Sequence, residues 1–65
     1  MSKKDFLKKL SKELEALPRD ERDKTLAYYD EQIEDRKEAG ATEEAAVDAM
    51  GDIRAIAGDI IQDAR

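Results

Sequence analysis

Apolar residues recur at the spacing of one helical face in three stretches of the chain. Phe6, Leu7, Leu10, Leu14 and Leu17 form the first, and Leu26, Tyr29 and Ile33 the second. The third, Ile53, Ile56, Ala57, Ile60, Ile61 and Ala64, follows the i, i+3, i+4, i+7, i+8, i+11 template of an amphipathic helix and is the clearest of the three. No segment alternates apolar and polar residues over the length of a strand, so β-structure is not expected.

The residues between these stripes place the helix ends. Ser2 followed by Asp5 makes a variant capping box and predicts a first helix over 3–17. Pro18 lacks an amide proton and disfavours helical geometry in the residue before it, yet suits a first turn, so a long second helix is predicted over 19–39. Gly40 can supply the left-handed residue that closes this helix, and Thr42 can cap a short one over 43–50 whose first turn holds Glu43 and Glu44. Gly51 breaks the chain and Asp52 caps a fourth helix over 53–63, which has no stop signal at Arg65 and reads as able to continue. The expected fold is all-α: one helical domain over 1–65, a small bundle of three to four helices, with Leu10, Leu14, Leu26, Tyr29, Ile33, Val47, Ile56 and Ile60 in the core.

One residue resists this pattern. Tyr28 projects about 100° away from Tyr29, toward Glu21, Gln32 and Asp35. Either the second helix is sandwiched and buries both faces, or Tyr28 is an exposed aromatic of the kind that anchors partners. The first alternative is favoured by the position of a long central helix, which in a small bundle often touches neighbours on two sides. On the second, Tyr28, Glu31 and Asp35 share the side away from Leu26 and Ile33 and present a ring framed by acids, which makes them the candidate protein-binding residues.

Composition narrows the chemistry. A chain of 65 residues supports a single domain with one thin core. It has no cysteine and no histidine, so the strongest nucleophile, the commonest general base and the usual zinc ligands are missing; no catalytic, cofactor or metal site is expected. Gly40, Gly51 and Gly58 are isolated and form no phosphate-cradling loop. No window approaches the roughly twenty apolar residues of a membrane span, and the absence of cysteine gives no argument for secretion, so a cytoplasmic setting is expected.

The net charge of −5 argues against direct nucleic-acid binding. It is unevenly placed, because residues 1–12 hold five lysines against Asp5, a balance of +4, leaving −9 for the rest. Lys4, Lys8 and Lys12 stack on the first helix opposite its apolar stripe and could lean on anionic lipid, although a solubilising face is the more ordinary reading. Asp30, Glu34 and Glu38 stack on the second, flanked by Glu31 and Asp35; they could ligate Ca²⁺ or Mg²⁺, but a solvated acidic face is expected, because a rigid helix rarely completes such a shell without a loop.

The segment from Tyr28 to Asp52, followed by Ile56, Ala57 and Ile60, resembles the HAAS family of bacterial signalling domains. The likeness extends over nearly the whole chain: a lysine-rich start with Phe6, Leu7, Leu10 and Leu14, then Leu17-Pro18, the paired tyrosines, Gly40, the Glu43/Glu44 turn and Met50-Gly51-Asp52. Family members often have proline after the Gly-Asp pair, where Ile53 stands here. The resemblance implies a non-enzymatic signalling or interaction domain, placed at the cytoplasmic N-terminus of a longer membrane protein and encoded beside a PadR-like winged-helix transcription regulator, the implied partner. Membrane contact would then come through segments beyond residue 65. A structural, self-associating helical module beside a membrane is the alternative, and a ubiquitin-associated-like bundle is suggested by the short helix, the Met50-Gly51 turn and the helix order.

Overall fold

A computed structural model describes residues 1–63, which form four helices and no strand. In order these are α1 (Lys3–Glu13), α2 (Arg19–Glu38), α3 (Glu43–Asp48) and α4 (Ile53–Asp63). The expected places of Ala64 on the apolar stripe and of a continuing helix at Arg65 lie outside the described residues.

Each boundary has a local cause. The Ser2 hydroxyl accepts from the Asp5 amide at 3.1 Å, the forward half of the capping box. α1 stops at Glu13, earlier than the expected Leu17. The chain instead tightens into short turns in which Leu14 donates to the Leu10 and Ser11 carbonyls and Leu17 donates to Leu14. Leu14 and Leu17 are both buried ahead of Pro18. α2 ends in a Schellman motif: the Gly40 amide bonds the Lys37 carbonyl and the Ala41 amide the Arg36 carbonyl, both at 3.0 Å, with Gly40 at a φ of 108°. Thr42 Oγ1 accepts from the Ala45 amide and Asp52 Oδ2 from the Ala55 amide, as the sequence predicts. α3 ends at Asp48, and residues 49–50 form a turn before Gly51, at a φ of 98°.

α1 is the central element. It packs against α2, α3 and α4, and α3 also packs against α2, whereas α2 and α4 make no close backbone approach to each other. The longest dimension, 37 Å, is set by α2, whose 20 residues span about 30 Å at 1.5 Å per residue.

The buried core is Phe6, Leu10, Leu14, Leu17, Ile33, Ala46, Val47 and Ala57. Four residues expected there, Leu26, Tyr29, Ile56 and Ile60, pack against it but stay half-buried. Their places inside are taken by Phe6 and Leu17 and by two alanines that the periodicity undervalues. Small side chains at Ala46 and Ala57 let the short helices approach α1 closely. Among the described residues no helix is long and apolar enough to cross a membrane.

Candidate protein-interaction surface

The surface of α2 divides into two polar stripes with different surroundings. Asp30, Glu34 and Lys37 lie beside the N-terminal turns of α1 and α3. Lys3 Nζ stands 2.9 Å from Asp30 Oδ1 and 3.2 Å from Glu34 Oε2, and Lys37 Nζ is 3.2 Å from both Glu34 Oε2 and Glu43 Oε1. The Lys3 amide also donates to Glu43 Oε2 at 3.3 Å. Glu34 Oε2 is shut off from solvent beneath the two ammonium groups. These contacts clasp three helices together.

The charges respond accordingly. Lys37, then Lys3, holds the Glu34 carboxyl below its ordinary range, and Lys37 does the same to Glu43. Asp30 first and Glu34 second raise the Lys3 ammonium, and Glu43 then Glu34 raise Lys37. The acidic stack is therefore not the uniformly solvated face that its spacing suggested: Asp30 and Glu34 converge on an ammonium, and Glu38 stays exposed.

One signal for this clasp was present in the sequence. Lys3 occupies the position one turn before Phe6, Leu7, Leu10 and Leu14 on the apolar stripe, so its stem runs along the core and its charge must emerge at the bundle's edge. Glu34 and Lys37 are in addition an i, i+3 pair. That Glu43 also joins could not be read from spacing, since it depends on how the turn after Gly40 aims α3.

The opposite stripe carries Tyr28, Glu31 and Asp35, all exposed. Tyr28 is 56% exposed, so α2 is not sandwiched, and the alternative favoured at first is corrected. The physical reason is the topology, in which α1 and α3 pack against α2 and, among the described residues, α4 makes no close backbone approach to it. The Tyr28 ring is nevertheless held. It meets Tyr29 edge-on, at 5.1 Å between centroids with planes at 90°, and Tyr29 in turn lies 6.1 Å from Phe6 of the core. Burial, with Tyr28 and Asp59 adding smaller effects, raises the Tyr29 hydroxyl above its usual value.

Beside this stripe lies a groove of about 300 Å³ lined by Lys24, Thr25, Tyr28, Tyr29 and Ile60, which the sequence reading did not find. It could have been suspected only from Tyr28, since the groove's other wall comes from a distant helix. On the far side of α1, Lys4, Lys8, Lys9 and Lys12 are exposed and form no ion pair among the described residues. Arg54 of α4 reaches Glu13 at 3.9 Å.

An exposed aromatic ring held edge-on beside acids has the make-up of a surface that recognises another protein. No curated protein and no solved structure matches the chain. Residues 5–59 match the sequence profile of one family, HAAS.

Proposed function

The chain belongs to the HAAS family, and from that premise we infer that it is a non-enzymatic protein-interaction module of a bacterial signalling protein. Its working surface is the outer face of α2, Tyr28 with Glu31 and Asp35. The observation that carries this reading is the exposed Tyr28 ring fixed edge-on against Tyr29, because an aromatic already held in place loses little conformational freedom when a partner covers it. The acids favour a basic partner. A PadR-like winged-helix regulator fits that description, since such proteins carry basic surfaces for DNA, and the full-length protein would hold this domain at the cytoplasmic face of the membrane.

The test is a binding titration against the winged-helix regulator encoded beside the gene, using Tyr28→Ala and Asp35→Lys after circular dichroism confirms that both fold. Each should weaken binding by at least about 1 kcal/mol, whereas Lys8→Glu on α1 should matter less. Folded variants that bind normally would remove Tyr28 and Asp35 from the interface.

A further inference from the structure

Tyr29 and Ile60 each pack on the core from one side and remain half-buried. Their other sides open into the groove completed by Lys24, Thr25 and Tyr28. The cause is topological: α2 and α4 both lean on α1 without approaching each other, so no described segment fills the notch between them. The surroundings of the groove are acidic. Glu31 and Asp35 continue the Tyr28 face on α2, and Asp59, the exposed neighbour of Ile60 in the chain, stands on α4. Lys24 is the basic residue of the lining.

The geometry points to an amphipathic helix of a partner protein as the occupant of the α2–α4 groove, with one bulky apolar side chain seated between Tyr29 and Ile60 and with lysines or arginines facing Glu31, Asp35 and Asp59. This rests on the reading of Tyr28, Glu31 and Asp35 as a protein-binding surface, and moves the centre of that surface from the outer face of α2 into the notch. Three observations support it. At about 300 Å³ the groove is at the small end for ligand pockets, a size that suits a single anchor side chain. Two helices already flank the notch, and a third laid between them would bury apolar area that water now covers. Exposed acids flank the lining on both helices, Glu31 and Asp35 after Tyr28 on α2 and Asp59 next to Ile60 on α4, and outnumber its single lysine, which selects the sign of the partner's flanking charges. A second copy of this chain is a poor occupant. The apolar stripe of its α1 is spent on its own core, its lysine face offers no apolar anchor among Lys4, Lys8 and Lys12, and its α2 would oppose acid with acid.

The experiment is an NMR titration of the isotopically labelled chain with two synthetic helical peptides of about five turns. Both carry the same leucine stripe, one with lysine and the other with glutamate at the remaining positions. The lysine peptide should bind saturably and at least about tenfold more tightly than the glutamate peptide, with shifts concentrated at Thr25, Tyr28, Tyr29 and Ile60. Ile60→Gln, or Thr25→Gln if that variant fails to fold, should weaken the lysine peptide by about tenfold or more. Shifts confined to Glu31 and Asp35, with Ile60 unmoved, would overturn the groove and leave the outer-face reading standing. Equal binding of the two peptides, or shifts spread over acids throughout the molecule, would overturn the proposed charge selection. No saturable binding of the lysine peptide would count against both readings. Concentration-dependent dimerisation in sedimentation, abolished by Ile60→Gln, would give the groove to a second copy and overturn the proposal.

Discussion

Lys3 Nζ stands 2.9 Å from Asp30 Oδ1, which ties the first turn of α1 to the middle of α2. Isolated surface ion pairs contribute little, because solvent screens them and long side chains must be ordered. This one belongs to a network that joins three helices and covers Glu34 Oε2. Lys3→Met, which keeps the stem and removes the charge, should lower the melting temperature at low salt. The gap from the parent should narrow near about 1 M NaCl, where the screening length falls to about 3 Å. Identical melting curves at low salt would show that the clasp contributes nothing.

The stacked acids should not behave alike. From spacing alone, alanine at Asp30, Glu34 and Glu38 would relieve repulsion and leave the fold intact or slightly more stable. The structure reverses that expectation for two of them: Asp30→Ala and Glu34→Ala should destabilise, Glu34→Ala the more, because it takes one partner from each of two ammonium groups and leaves Lys3 only Asp30 and Lys37 only Glu43. Glu38→Ala should be neutral or mildly stabilising. Thermal melts of the three single variants check the order.

The clasp also sets the shape of the pH profile. Glu34 and Glu43 are lowered on folding, so their contribution is present above the ordinary carboxylate value of 4.5 and is lost as pH falls through their folded-state values. Lys3 and Lys37 are raised, so theirs is fully present below 10.5 and is lost as pH rises through their folded-state values. The melting temperature should therefore hold a plateau across neutral pH and fall at both ends. Glu34→Gln should flatten the acid limb, and an unchanged acid limb would contradict the assignment.

Core truncations should separate two residues that the sequence treats as equivalent. Leu14 is fully buried, and Leu14→Ala should cost about 2 to 5 kcal/mol, enough to unfold much of so small a domain. Ile56 is half-buried, and Ile56→Ala should cost roughly half as much. Urea denaturation measures both.

Glycine replacements should have opposite signs. Gly40→Ala places a side chain at a φ of 108° and should destabilise by about 1 to 2 kcal/mol. Gly58 lies inside α4, exposed, with open space where a Cβ would stand, so Gly58→Ala should stabilise by about 0.5 to 1 kcal/mol. A stability gain at Gly40 or a loss at Gly58 would show the local backbone to be misassigned.

The helix order, its caps and its glycine stops were legible because each depends on residues within a few positions of one another. Ser2, Thr42, Asp52 and Gly40 all act over such a distance. Burial was read less well, because periodicity says which face a residue is on but not whether anything covers that face. Tyr29 and Ile60 sit on the expected faces and remain half-open, since α2 and α4 make no close backbone approach to each other. Ala46 carried too little hydrophobicity to stand out, and Ala57, though on the apolar stripe, was passed over for its larger neighbours Ile56 and Ile60, yet both alanines are buried. Of the candidate surface, Tyr28 was visible as a misfit, whereas the opposing wall from Ile60 depended on topology that spacing cannot supply.

The notch between α2 and α4 has a mechanical side. Each is fixed to α1 like one of two blades on a common spine, so a displacement of α4 does not reach α2 directly; the spine must carry it. A body wedged between the blades would couple them directly. Occupancy of that gap would then be felt wherever the far ends of α2 and α4 are attached, without a change in any helix.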